Sequence, residues 1–212
     1  MKSRDLYQSL KNLKVIPVVA IEQYDAALPL AHALIEGGLP VAEVTFRTEA
    51  AARVIERMAK ETPELLVGAG TILTVDNLKK AQDCGAKFGV APGFNRKVVE
   101  ASLKMNFPFS PGIMTPSDVE GALELGVKVL KFFPAEAAGG IGMLKSLIAP
   151  YAHAGVQFIP TGGINLQKAK DYLSLPQVIA VGGTWIAKKE DIAAGNWKDI
   201  QDRCKAVRDL LL

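Results

Sequence analysis

Short runs rich in β-branched residues alternate with amphipathic helical stretches along the whole chain, and this alternation narrows the possible folds sharply. A leading helix over residues 5–12 precedes strand candidates at 15–20, 41–46, 65–69, 87–91, 107–110, 129–134, 157–160 and 178–181. Helical spacing fills the gaps at 24–36, 49–61, 75–84, 95–105, 117–125, 141–148 and 166–173, with a short helix near Trp185 and a longer one over 197–211. Glycines at Gly37-Gly38, a proline at Pro63 and cap candidates Thr74 or Asp76 punctuate the helices. When a helix supplies every crossover, the strands run parallel. Eight strand–helix units in 212 residues predict an α/β fold, a compact (β/α)8 TIM barrel with a short N-terminal helix. An open doubly wound sheet is the alternative, but the first strand–helix turn lacks the glycine fingerprint of a nucleotide-binding fold. No linker or low-complexity tract interrupts the pattern, so residues 1–212 read as one domain.

Composition excludes several classes of partner. A formal charge of +3 with no long Lys/Arg block gives no basis for nucleic-acid binding. No apolar run approaches the roughly 20 residues needed to cross a bilayer. The opening Met1-Lys2-Ser3-Arg4-Asp5 is polar and no signal-peptide core follows it, so a cytoplasmic location is expected. Cys84 and Cys204 lack metal or redox spacing and read as free thiols of a reducing compartment. His32 and His153 have no metal-ligand spacing, so no metal or cofactor is expected.

A barrel places its reactive groups at the C-terminal ends of strands. In Val41-Ala42-Glu43-Val44-Thr45-Phe46-Arg47, side-chain alternation puts Glu43, Thr45 and Arg47 on one face and apolar residues on the other. The apolar face must meet the helices, so the polar face looks inward; a salt-bridged surface edge is the alternative. The same parity groups Val129, Lys131 and Phe133. Lys131 either points to solvent from an edge strand or is a desolvated amine, the form a Schiff-base nucleophile requires. With Glu43 to move protons, an inward Lys131 suffices for imine chemistry on a carbonyl.

Two glycine doublets, Thr161-Gly162-Gly163 and Gly182-Gly183-Thr184, follow the seventh and eighth strands. Loops at those two places form the recurrent phosphate site of this fold, where backbone N–H groups approach an anion and a short helix, here starting near Trp185, turns its N-terminus to it. Thr71 and Pro92 also end strands, although turn chemistry alone accounts for them equally well.

Together, Glu43-Val44-Thr45-Phe46-Arg47-Thr48-Glu49, Val67-Gly68-Ala69-Gly70-Thr71, Lys131-Phe132-Phe133-Pro134-Ala135-Glu136 and Pro160-Thr161-Gly162-Gly163-Ile164 carry a family likeness. In this order, and from about Val15 onward, the chain resembles the bacterial 2-keto-3-deoxy-6-phosphogluconate (KDPG) aldolases, which also cleave 4-hydroxy-2-oxoglutarate (KHG). The resemblance implies a metal-independent class I aldolase on a (β/α)8 barrel, usually a homotrimer, acting on a phosphorylated keto acid. It implies that Lys131 forms the Schiff base and Glu43 transfers protons. Arg47 and Thr71 would hold the pyruvate carboxylate beside Pro92 and Phe133. Thr161, Gly162, Gly163, Gly182, Gly183 and Thr184 would receive the distal phosphate; serine is the family's residue where this chain has Thr184, and the hydroxyl is kept. A sister group acting on the galactonate-derived substrate tends to carry Asn-Ser where this chain has Arg47-Thr48, and Pro-Ser-Ser where it has Pro134-Ala135-Glu136, so the gluconate branch is expected. Two further alternatives are a phosphosugar isomerase or epimerase, which needs no inward lysine, and a non-catalytic barrel that binds a phosphorylated ligand.

Overall fold

The computed structural model describes residues 3–211; Met1 and Lys2 of the polar opening stretch lie outside the described residues. Helix α1 (Ser3–Leu13) leads into β1 (Val15–Val19), a 3₁₀ turn (Tyr24–Ala26) and α2 (Ala27–Glu36). The alternation continues through β2 (Val41–Thr45), α3 (Ala51–Glu61), β3 (Leu66–Gly70), α4 (Val75–Asp83), β4 (Gly89–Val90) and α5 (Arg96–Lys104). Next come β5 (Phe109–Ser110), β6 (Gly112–Ile113), α6 (Pro116–Glu124), β7 (Val129–Phe132) and α7 (Gly140–Ile148). After β8 (Gln157–Pro160) and α8 (Leu166–Leu173), the chain closes with β9 (Val181–Gly183), α9 (Lys189–Ala194) and α10 (Trp197–Leu211).

Local chemistry explains these boundaries. Thr74, rather than Asp76, caps α4: its hydroxyl accepts the Asn77 N–H at 3.1 Å. Thr115 and Asp118 form a reciprocal capping box at α6, with Pro116 in the first turn where its missing N–H costs nothing. In α3 the buried positions Ala51, Val54, Ile55 and Met58 follow the helical period and make the stripe that packs on the sheet. β1 and β2 are buried at every position, as strands covered on both faces must be.

All strand pairs are parallel. They form a curled six-stranded sheet in the order β5-β4-β3-β2-β1-β9 and a three-stranded sheet in the order β6-β7-β8. The single eight-stranded ladder expected from the sequence is therefore corrected to two sheets. One break lies at Pro111, which has no N–H to give the ladder and divides the fifth strand into β5 and β6. The other lies between β8 and β9, where isolated bridges Phe158↔Val178 and Thr161↔Gly182 stand in place of a ladder. The eighth strand also begins later than expected, at Val181. No helix forms near Trp185, because residues 184–187 are bends and α9 starts only at Lys189. The Trp185 ring instead folds back over Gly183, where a Cβ would stand 1.6 Å from the ring.

Helix α1 seals the end of the sheet where the strands begin. Leu6 and Leu10 are fully buried, and Tyr7 sits in a cleft with Phe107, Phe109 and Val129, its hydroxyl 3.3 Å from Ser110 Oγ. Burial pushes the Tyr7 hydroxyl above its ordinary range, and the Ser110 hydrogen bond opposes that. Among the described residues, no helix is long and apolar enough to cross a membrane. Leu10→Ala should open a cavity under the strands and lower stability by about 2–5 kcal/mol in urea titration; an unchanged midpoint would mean that α1 is not part of the core.

Candidate active site

The opposite end of the sheet, where the strands finish, holds a cavity of about 150 Å³. Lys131 and Glu43 meet inside it. The Lys131 Nζ donates to Glu43 Oε1 at 3.0 Å, with side chains only 7% and 3% exposed. The two residues come from β7 and β2, 88 positions apart. Lys131 is therefore no edge residue: β6 and β8 pair with its strand on either side, at Gly112 and Ile159. The Phe133 ring centroid lies 5.6 Å from Nζ, close enough for its π face to favour the cation. Because each buried ion costs several kcal/mol to desolvate, a pair of this kind adds little net stability. Its place in a lined cavity points to chemistry rather than to folding.

Glycines on β3 make room for this pair. A Cβ on Gly70 would stand 2.2 Å from Glu43 Oε1, and one on Gly68 would stand 2.3 Å from the Phe88 ring. The Gly68-Ala69-Gly70 pattern within a strand was a visible signal of close approach, but the sequence did not say what approached. Gly112 plays the same part beside Lys131, where a Cβ would stand 2.2 Å from the Pro92 carbonyl carbon.

The other predicted residues surround the pair. Thr45, which shares the face of Glu43 but had no predicted role, is buried; its hydroxyl donates to Val19 O at 3.0 Å and accepts from Arg47 Nε at 3.2 Å. Arg47 itself lies past the end of β2 and is exposed at the mouth, with no carboxylate partner among the described residues. Thr71 lines the cavity at φ 60°, in the left-handed region. A β-branched residue held there costs on the order of 1–3 kcal/mol, which the surrounding structure must offset. Pro92 and Phe133 line the cavity as well.

Thr161, Gly162, Gly163, Gly183 and Thr184 also line the cavity, together with Val18 and Ile164, for which no role was expected. Gly162 and Gly163 have φ values of 107° and 75°, and their N–H groups have no acceptor among the described residues. A run of free N–H groups is able to take an anion. Gly182 does not line the cavity. It bridges Thr161, and a Cβ there would stand 2.3 Å from Thr161 Oγ1, so it fixes the spacing behind the wall. Beyond Arg47 and Thr184 the cavity opens into a wider cleft of about 430 Å³ bordered by Lys188 and Lys189.

One cluster beside the site was missed as a unit. The Glu136 carboxylate pairs with Lys168 Nζ and accepts the Tyr172 hydroxyl at 2.8 Å. The Lys168 hydrogen bond holds Glu136 below the usual carboxylate range, while burial pushes the Tyr172 hydroxyl up. A strand motif ending in glutamate could not reveal partners on a helix more than thirty positions away.

Gly70→Ala is expected to fold but to force Glu43 off Lys131, visible in a crystal structure as a separation well beyond the 3.0 Å hydrogen bond. A variant with that bond intact would contradict the steric account.

The family model for KDPG and KHG aldolase matches residues 6–203. A 2-dehydro-3-deoxy-phosphogluconate aldolase of Haemophilus influenzae is 43% identical over 209 residues, covering 99% of this chain and 98% of the relative. A KHG/KDPG aldolase of Escherichia coli is 40% identical over 186 residues, covering 88% and 86%. Among solved structures, the KDPG aldolase of Legionella pneumophila, with pyruvate captured at low pH as a covalent carbinolamine intermediate, superposes with a TM-score of 0.90 at 40% identity, covering 95% of this chain and 97% of that one. The fold is accordingly TIM-barrel-like. This chain belongs to the KDPG and KHG aldolase family of carbon–carbon lyases.

Proposed function

We propose that the protein is a class I aldolase that cleaves 2-dehydro-3-deoxy-6-phosphogluconate to pyruvate and glyceraldehyde 3-phosphate, and 4-hydroxy-2-oxoglutarate to pyruvate and glyoxylate. The observation that carries this reading is the buried Lys131 amine hydrogen-bonded at 3.0 Å to Glu43 inside a lined cavity. In this reading the Lys131–Glu43 hydrogen bond is the path by which the ammonium gives up a proton. The free amine attacks the C2 carbonyl, and Glu43 returns that proton to the departing hydroxyl, so that the carbinolamine loses water to leave a protonated imine and Glu43 is again a carboxylate. Glu43, directly or through a water, takes the C4 hydroxyl proton. The C3–C4 bond breaks, its electrons flow into the iminium to form an enamine, and the aldehyde leaves. The same carboxyl returns its proton to C3, and water hydrolyses the iminium to pyruvate and the Lys131 ammonium. The mechanism requires no metal or cofactor.

Arg47 and the Thr71 hydroxyl are proposed to hold the substrate carboxylate, with Pro92 and Phe133 beside it. Support comes from the guanidinium at the mouth, which has no carboxylate partner among the described residues, and from the strained backbone that turns Thr71 to the cavity. The free N–H groups of Gly162 and Gly163, with Thr161, Gly183 and the Thr184 hydroxyl, are proposed to take the distal phosphate. Gly182 supports that wall from behind.

The two sheets are proposed to act as a single (β/α)8 barrel spanning residues 1–212 as one domain. Pro111 joins β5 to β6, its carbonyl accepting the Lys131 N–H at 2.9 Å, and the Thr161↔Gly182 bridge joins β8 to β9. A homotrimer in the cytoplasm is the expected working state.

The test is pyruvate release from both substrates. Wild-type protein should release it from each, while Lys131→Met should lose at least about 10³-fold in kcat with each, the order expected for loss of a covalent nucleophile. Retained turnover in Lys131→Met would remove the Schiff-base reading.

A further inference from the structure

We infer that Glu136 is a positioning residue: clamped by Lys168 and Tyr172, it holds the Gly162–Gly163 loop in the form that accepts a phosphoryl group. This inference rests on the phosphate site proposed above.

In a trans peptide the carbonyl of one residue and the N–H of the next point in opposite directions. The Ala135 N–H donates to Thr161 O at 2.8 Å, and the Glu136 N–H donates to Gly162 O at 3.1 Å. Both carbonyls are thereby drawn toward the segment leaving β7. The N–H groups of Gly162 and Gly163 must then face away from that segment, and both residues line the cavity. The direction of the two anion-binding donors is set by where the backbone of Ala135 and Glu136 stands.

The Glu136 side chain fixes that backbone. Lys168 and Tyr172 stand four positions apart on one face of α8 and grip the two carboxylate oxygens separately, Lys168 at Oε2 and Tyr172 at Oε1. Tyr172 is buried, so its end of the clamp is set in the core. The loop also closes directly on the side chain, for a Cβ on Gly163 would stand 2.8 Å from Glu136 Cβ. Helix α8 follows this same loop, so the clamp ties together the exit of β7, the glycine doublet and the helix after it. Pairing with Lys168 also offsets the negative charge of Glu136, which would otherwise stand beside an anion. Lys131 does not depend on the clamp, because β6 and β8 hold its strand on both sides.

The test compares wild type with Glu136→Gln and Tyr172→Phe in two measurements: glycerol 3-phosphate affinity by calorimetry, and the rate at which borohydride traps pyruvate. Glu136→Gln should weaken glycerol 3-phosphate about tenfold, as loss of a charged hydrogen-bond partner allows, and Tyr172→Phe by a smaller factor. Pyruvate trapping should keep its wild-type rate in both. Should Glu136→Gln not fold, Lys168→Met removes the same charge pairing from the exposed side and should weaken phosphate in the same direction. Phosphate affinity that is unchanged or increased overturns the inference, and so does trapping that slows in step with phosphate loss, which would mean general loosening. A wild type that traps no pyruvate would defeat the aldolase reading instead, while the phosphate comparison would still decide the role of Glu136.

Discussion

A lysine and a glutamate share a hydrogen bond with both side chains almost wholly buried, and the surrounding structure is arranged to permit it. Desolvating both charges costs more than an ordinary core position would, and their mutual attraction does little better than repay it. Stability must therefore come from elsewhere, from apolar helix faces such as Val54, Ile55 and Met58 on α3 and from the fully buried strands they cover. A pair that adds so little stability belongs with a site rather than with the scaffold.

Absent side chains shape the site as much as the groups that are present. Gly70 leaves room for the Glu43 carboxylate, Gly112 lets the Pro92 carbonyl approach beside Lys131, and Gly182 accommodates Thr161. Each sits on a strand, where glycine weakens the element, so each gives up some strand stability for a close approach. The two ends of the sheet divide the work. Leu6, Tyr7 and Leu10 close the end where the strands start, and the strand ends opposite stay open for the polar groups.

Much of this was legible in the sequence because two periods were clear. Parity along residues 41–47 and 129–133 put Glu43 and Lys131 on inward faces, and the structure joins them. The strand–helix alternation gave the parallel architecture. Where the reading failed, local pattern gave way to tertiary contact. The fifth strand was expected to end at Ser110, and the short β6 beyond Pro111 was not foreseen; Val178–Ala180 read as strand although Phe158 meets them only through isolated contacts. The helix expected near Trp185 lost to the packing of its ring on Gly183. Thr45, Gly70 and the partners of Glu136 have roles that depend on neighbours distant in the chain, and one sequence without its fold does not carry that information.

The central claim is that the Lys131 amine forms a covalent imine with a keto acid. Reduction with borohydride in the presence of pyruvate, followed by peptide mass mapping, tests it most directly. The account predicts a single reduced pyruvate adduct per chain, located on Lys131, with loss of activity in proportion to labelling. Full activity with no adduct, or an adduct confined to a different lysine, would contradict it.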